Sequence, residues 1–416
     1  MSRPNLPRSW SVDATGRLRV AGCDLGDLAA RFGTPLYVFD SGDLRENARR
    51  VVRAFAAARP GSLVVFASKA LPLVAAIELF AREGLGVDVS TAGELETALA
   101  ADVPPASLVL HGNAKSDDEL RRALEVGVGL VVVDNATELE RLEALGARRQ
   151  PVLLRIRPDV EADTVPAIAT GGAGSKFGVG RERARGLLSR MARSPAVEVA
   201  GLHAHVGSQI GDPYTLARSV AVLGSLGSFD RYDLGGGLAT PYRADDPPTD
   251  VEGWARALAA AAREHLPAAA QLIVEPGRCL VGPSGLTLYR VVVVKGGPIR
   301  HVAVDGGLAD NLEAAIGGVI FEAHIVDRPF RGSPHRLVGK QCESGDVLVE
   351  RALLDAPARD DLVVVPATGA YTWTTASNYN ALPRPAVVFC EDGRAEPVCE
   401  RETLADLLRR QRRLPA

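Results

Sequence analysis

The chain has 416 residues, 46% hydrophobic and 24% charged, enough to bury a large core in two domains. A net charge of −3 and a pI near 6.2 leave no basic stripe, so neither nucleic acid nor anionic membrane is an expected partner. Cys23, Cys279, Cys342, Cys390 and Cys399 are scattered and form no C-x-x-C pair, which argues against a disulfide framework or a zinc site; Met1–Pro7 lacks an apolar signal core and no long uncharged apolar run follows, so the protein reads as cytoplasmic.

Residues 1–40 form a segment expected to pack with a C-terminal domain, with a short strand near Leu18, a helix over Leu25 to Phe32 and a strand over Leu36 to Phe39. From Leu63 onward, apolar runs at 63–66, 86–89, 108–111, 130–133, 152–156, 199–205, 231–234 and 271–274 alternate with helix-period segments. Eight such units match a TIM (β/α)8 barrel over 41–283; a doubly wound sheet would show a glycine fingerprint after its first strand, and none stands there. Three helices open on legible caps, Thr91 with Glu94, Ser116 with Glu119 and Asn135 with Glu138. After Pro283 the helical period gives way to β-branched runs (288–294, 301–304, 319–326, 362–365, 386–389), which predict an all-β, Greek-key-like domain over 284–416. Arg401 to Arg413 predicts a terminal amphipathic helix with a solvated arginine face.

Chemistry gathers at strand ends. Val64-Val65-Phe66-Ala67-Ser68-Lys69 delivers one lysine to the end of the first barrel strand, just before Pro72 and a helix bearing Ala76, Ile77 and Phe80. An amine partly removed from water there loses proton affinity and can attack a carbonyl. Gly235-Gly236-Gly237 follows the seventh strand and Glu275-Pro276-Gly277-Arg278 the eighth, the two loops that recurrently bind phosphate in this barrel. His203-Ala204-His205 suggests a metal, but no matching Asp/Glu/Cys cluster is expected nearby, so no metal is expected. A lysine, a phosphate cradle and a carboxylate together suggest pyridoxal 5′-phosphate: the lysine holds the aldehyde as a Schiff base and an acid, Glu275, keeps the ring nitrogen protonated. His205 would lie on the ring and Ser208 would add a hydroxyl to the phosphate.

The chain resembles the alanine-racemase-fold (fold-type III) pyridoxal-phosphate decarboxylases, most closely the diaminopimelate decarboxylases. The resemblance rests on Ser68-Lys69-Ala70, Gly174-Ser175-Lys176-Phe177-Gly178, H-x-H-x-G-S-Q-I at 203–210, Asp233-Leu234 with the glycine triplet, E-P-G-R at 275–278, Cys342-Glu343-Ser344-Gly345-Asp346, Gly369-Ala370-Tyr371, and Asn378-Tyr379-Asn380 with Arg384-Pro385. It implies an amino acid decarboxylase in which Lys69, Asp88, His205, Ser208, Gly235, Gly236, Gly237, Glu275, Gly277, Arg278 and Tyr371 bind the cofactor. It also implies a homodimer with shared active sites, Cys342 and Glu343 entering the partner's site, with Cys342 a proton donor and Glu343 and Arg278 meeting substrate.

One segment departs from the pattern. Where those enzymes read D-G-G-x-x-D-N-x-R-P-A-L-Y-G, this chain has Glu313 at the arginine position and Gly317 at the tyrosine position. A carboxylate in place of a guanidinium repels a substrate carboxylate, by several kcal/mol in a dry site. The expected substrate is therefore a diamino or modified amino acid without the free distal carboxylate of meso-diaminopimelate, as suits a specialised pathway. A compensating arginine, Arg328 or Arg331, would restore meso-diaminopimelate as substrate. An amino acid racemase and a non-catalytic regulator are the further alternatives, and retention of Lys69, His205, Glu275, Arg278, Cys342 and Tyr371 argues against the latter.

Overall fold

The computed structural model describes residues 3–160, 171–172, 174–316 and 318–415. The chain divides into two compact units, one of Asn47–Ala239 with Thr249–Cys279, the other of Met1–Glu46, Thr240–Pro248 and Leu280–Ala416.

In the first unit, parallel strands Leu63–Ala67, Gly86–Val89, Leu108–Leu110, Leu130–Val133, Gln150–Arg157, Val197–His203, Arg231–Asp233 and Gln271–Val274 pair in sequence order, and Gln271–Val274 pairs back onto Leu63–Ala67 to close the barrel. A two-residue strand, Val179–Gly180, pairs in parallel with Ile156 and Arg157 at the end of Gln150–Arg157. Every run expected from sequence forms its strand. Val65, Val109, Leu130, Val132, Leu153 and Ile273 fill the barrel, each contributing roughly 1.5–3 kcal/mol on burial. Phe66 packs on Phe80 at 4.3 Å, seating helix Val74–Arg82 on the first strand. The three caps form as read: Thr91, Ser116 and Asn135 accept from the backbone N–H of Glu94, Glu119 and Glu138. Only Ser116 closes a full capping box, since the Glu94 and Glu138 carboxylates instead take the N–H groups of Ser90 and Asp134, one residue further back.

The second unit is built on an 11-residue strand, Gly285–Lys295. Its first half pairs with Leu36–Asp40 on one side and Leu362–Pro366 on the other, while its second half pairs with His301–Val304. The N-terminal strand Leu36–Asp40 also runs parallel to Ala386–Glu391 and so is an interior strand of this sheet. Alternation sends Leu286, Leu288 and Val364 to one core and Tyr289, Val291, Val363 and Val365 to another.

Some expectations fail here. Of the run 319–326 only His324–Ile325 is a strand. Three strands, Ser333–Val338, Val347–Leu354 and Arg394–Cys399, come from segments with no clear alternation; Val347–Leu354 carries Glu350-Arg351-Ala352-Leu353, good helix formers overridden by pairing with Ser333–Val338. The terminal helix is only Leu404–Leu408, and Arg401 does not join a solvated face: its guanidinium donates to Pro35 O at 2.6 Å and Phe32 O at 3.3 Å.

Candidate active site

All eight barrel strands present a polar residue within two positions of their C-terminal ends: Lys69, Asp88, His111, Asp134, Arg155, His203, Asp233 and Glu275. All but Lys69 are less than 10% exposed. Functional residues of this architecture gather at that face, and so many buried ionisable groups persist only where they neutralise one another or serve chemistry.

Lys69 sits in a single 3-10 turn, Ser68–Ala70, that ends the first strand. Its Nζ lies 3.5 Å from Oδ2 of buried Asp88, and its side chain is 46% exposed. On the other flank of Asp88, His111 Nε2 stands 3.9 Å from Oδ1. The same Nε2 is 2.5 Å from Glu275 Oε1, and His203 Nε2 is 3.4 Å from Glu275 Oε2. Burial alone would raise the proton affinity of Glu275, but the two imidazoles more than offset it and hold the carboxylate well below its usual range. Burial drives His203 down to about 3, so it is neutral. Asp233 moves the other way, pushed well up by burial and by the Glu275 charge. The expectation that the H-x-H lacks an acidic cluster is thus corrected: the closed barrel brings His111, His203, Asp233 and Glu275 within 4.8 Å of one another although sequence scatters them. His205 lies two residues beyond the end of strand Val197–His203.

The glycines form a cradle. Gly235 and Gly237 take positive φ, 66° and 109°. A Cβ on Gly235 would lie 2.6 Å from His205 Nδ1, and one on Gly236 or Gly237 would fall under 3.0 Å from the carbonyl oxygens of Glu275 and Gly207. Only glycine fits there, and without side chains the loop lets a ligand oxyanion approach its backbone closely, while the Gly235 N–H is held by Asp233 Oδ1 at 2.9 Å. Gly236 N–H donates to His205 Nδ1 at 3.2 Å, which fixes that ring; burial, then the Lys69 charge, keep it neutral. Ile210 N–H to Gly237 O, at 3.0 Å, ties the loop carrying Ser208 to the glycine loop. Buried Arg278 donates to Ser208 Oγ at 3.2 Å, and Gly277 is buried beside it. The cradle, the arginine and an ionised buried carboxylate suit an aromatic group with a phosphate at one end and a ring cation at the other. Lys69 is the amine of that set.

The second unit holds the remaining candidates. Asp346 folds the loop bearing Cys342 and Glu343, its carboxylate accepting from Leu308 N–H at 2.8 Å and Gln341 N–H at 2.7 Å. A Cβ on Gly307 or Gly339 would strike that carboxylate at under 3.0 Å. Cys342 is exposed, with its N–H on Asn380 Oδ1 at 3.1 Å, and Glu343 accepts from the Tyr379 hydroxyl. Tyr371 is held in left-handed backbone, φ 62°, where strain in a non-glycine residue marks an over-determined position. Half-buried Glu313 opens the short helix Glu313–Ile316, and Gly317 lies outside the described residues. Arg328 is engaged by Asp327, Asp361 and the carbonyls of Asp355 and Ala356, and Arg331 by Asp355 at 2.8 Å. His111 and Arg155 are not foreseen as site residues from the sequence, while His203 is considered there only as a metal ligand and Asp233 only as part of a motif; a polar residue near the end of each apolar run was the available signal.

Among known proteins, the family described as pyridoxal-dependent decarboxylase, pyridoxal binding domain, matches residues 42–282. Diaminopimelate decarboxylase of Actinosynnema pretiosum subsp. auranticum is 43% identical, covering 95% of this chain and 93% of its own length. That of Bacillus subtilis is 40% identical, with 95% of each chain covered. The solved diaminopimelate decarboxylase of M. jannaschii in co-complex with L-lysine superposes with a TM-score of 0.89 at 30% identity, covering 97% of each chain. The chain therefore belongs to the pyridoxal-dependent decarboxylases, carboxy-lyases of amino acid metabolism, among relatives of the diaminopimelate decarboxylase type.

Proposed function

We propose that the protein binds pyridoxal 5′-phosphate through Lys69 and removes CO2 from the α-carbon of an amino acid whose distal end is not the free carboxylate of meso-diaminopimelate. What carries the cofactor reading is the convergence on one barrel face of Lys69, ionised Glu275 and the cradle of Gly235, Gly236, Gly237, Ser208 and Arg278. When bound, the cofactor supplies an aldehyde for amine exchange and a ring that takes up the electron pair left by CO2. Glu275 would hold the ring nitrogen, and the cradle with Gly277 would hold the phosphate. His205, fixed and neutral, would cover one ring face, and Asp88 would orient the Lys69 ammonium. Tyr371 would complete the cofactor contacts. Cys342 would return a proton to the α-carbon and Glu343 would meet a distal amino group, both entering from a second copy of the chain.

The substrate reading rests on Glu313 at the family's arginine position, with Arg328 and Arg331 already engaged by acidic partners. The second reading, meso-diaminopimelate itself, draws support from the 43% and 40% identical relatives. Such an enzyme would work in the cytoplasm, and no helix among the described residues is long and apolar enough to cross a membrane. Borohydride reduction followed by peptide mapping should place the cofactor on Lys69, and Lys69→Ala should abolish adduct and turnover; an adduct on Lys176, which stacks over Phe177, would sink the assignment. CO2 release and product mass across diamino acids and their acylated derivatives then separates the two substrate readings.

A further inference from the structure

Glu275 has to stay ionised in a place that disfavours charge. It is 6% exposed, and a buried carboxylate without a neutralising neighbour takes up a proton. Two imidazoles flank it, His111 at one oxygen, 2.5 Å away, and His203 at the other, 3.4 Å away, and the buried Asp233 carboxyl also bonds to it. His203, buried and neutral, offers at most a long dipolar contact. Of the two imidazoles His111 is therefore the one placed to hold Glu275, and it touches a second buried carboxylate, Asp88, which faces Lys69. The four contacts make an unbroken chain, Lys69 to Asp88 to His111 to Glu275 to His203.

The barrel holds His111 with little freedom. Its N–H donates to Val89 O at 2.7 Å, and its ring meets the His203 ring edge to face at 4.9 Å. The next residue, Gly112, has φ 114°, and its carbonyl accepts from Lys115 Nζ at 2.7 Å. A Cβ on Gly112 would lie 3.2 Å from Ser90 O, so the tight turn that aims His111 inward needs glycine.

We propose that His111 is a positioning residue: clamped between Asp88 and Glu275, it keeps Glu275 charged and oriented to receive the ring nitrogen of the cofactor. The proposal rests on the reading that Glu275 meets that nitrogen. His111 touches the carboxylate and not the substrate, so its loss acts on cofactor affinity and kcat while substrate KM stays put.

The test is a cycle of His111→Leu and Glu275→Gln, with the cofactor dissociation constant of the apoprotein titrated by absorbance and the visible band recorded for each variant. His111→Leu should weaken cofactor binding by about tenfold or more, the usual scale for losing a residue that orients a ligating group, and should shift the visible band. In the Glu275→Gln background it should add almost nothing, because the two residues act as one unit. His111→Gln, which places an amide near Nε2, should recover affinity that His111→Asn, with its amide near Nδ1, does not. Wild-type affinity in His111→Leu, equal losses in both backgrounds, or equal affinities of the Gln and Asn variants would overturn the proposal. The Gln and Asn pair keeps the test decisive should the leucine variant fail to fold. A wild-type chain that takes up no cofactor would instead count against the cofactor reading itself.

Discussion

The Lys115 ammonium is paired with the Glu138 carboxylate inside the barrel unit, the two side chains 0% and 4% exposed. Lys115 also donates to Gly112 O at 2.7 Å and Val132 O at 2.8 Å, while Glu138 accepts from Asp134 N–H at 2.8 Å. The pair thus ties the ends of the third and fourth strands together just behind His111. Burial lowers the proton affinity of Lys115 and the Glu138 charge works against that.

Removing one member of such a pair strands a charge. Lys115→Met should destabilise the barrel unit by about 3–5 kcal/mol, and Lys115→Met combined with Glu138→Leu should cost less than the single change, since no uncompensated charge remains. Urea unfolding followed by circular dichroism decides it; a double variant weaker than Lys115→Met would show that the pair matters for something other than its charge balance.

Asp310 predicts a pH dependence in the β-rich unit. It accepts from the Tyr289 hydroxyl at 2.5 Å and Gly307 N–H at 3.1 Å, and burial pushes its carboxyl up to about 7 from an ordinary 3.8. Between those values the folded chain holds a proton that the unfolded chain releases, so stability falls as pH rises from about 4 to about 7, by on the order of 4 kcal/mol at most. Asp310→Asn keeps a neutral polar group there and should flatten the slope over that window. An unchanged slope in the variant would place the titration elsewhere.

The barrel was legible because its strands are largely buried on both faces and read as short, mainly apolar runs, each with a polar residue near its end. Thr91, Ser116 and Asn135 added local punctuation that tertiary contacts did not override. The β-rich unit was harder, since Val347–Leu354 carries a helix former's composition and becomes strand only through its neighbour. Lys69, the glycine cradle and Arg278 could be named from position, but His111 and His203 became partners of Glu275 only when ring closure joined residues more than 70 positions apart. Pairing across a barrel leaves no periodic trace in the chain, so the charge network around Glu275 had to be seen in space.

The proposed sharing of the site between two copies of the chain gives a complementation test. Lys69→Ala and Cys342→Ala protomers should each be inactive, and mixing them should restore part of the activity, because some heterodimers then hold one intact site. Cys342 is exposed on its own unit, as a residue contributed elsewhere must be. No recovery despite demonstrated subunit exchange would assign the site to a single chain.

On the proposed reading, substrate choice turns on Glu313 and Gly317. A carboxylate where the family resemblance implies an arginine replaces a bidentate attraction with repulsion, and glycine removes the hydroxyl expected beside it. Loss of uniform binding raises KM, while misplacement of the scissile carboxylate also lowers kcat, since near-attack geometry tolerates shifts of only about 1 Å. Both effects are expected with meso-diaminopimelate, and a substrate with an amide, acyl or cationic distal end should escape them. Turnover of meso-diaminopimelate at a kcat/KM of roughly 10⁴ M⁻¹s⁻¹ or above, well inside the ordinary enzyme range, would defeat the argument from Glu313. Glu313→Arg combined with Gly317→Tyr should raise activity on meso-diaminopimelate and lower it on the native substrate. A gain on the first without a loss on the second would mean that these positions admit a distal carboxylate but do not read the native distal group, which would leave Glu343 as the residue that does.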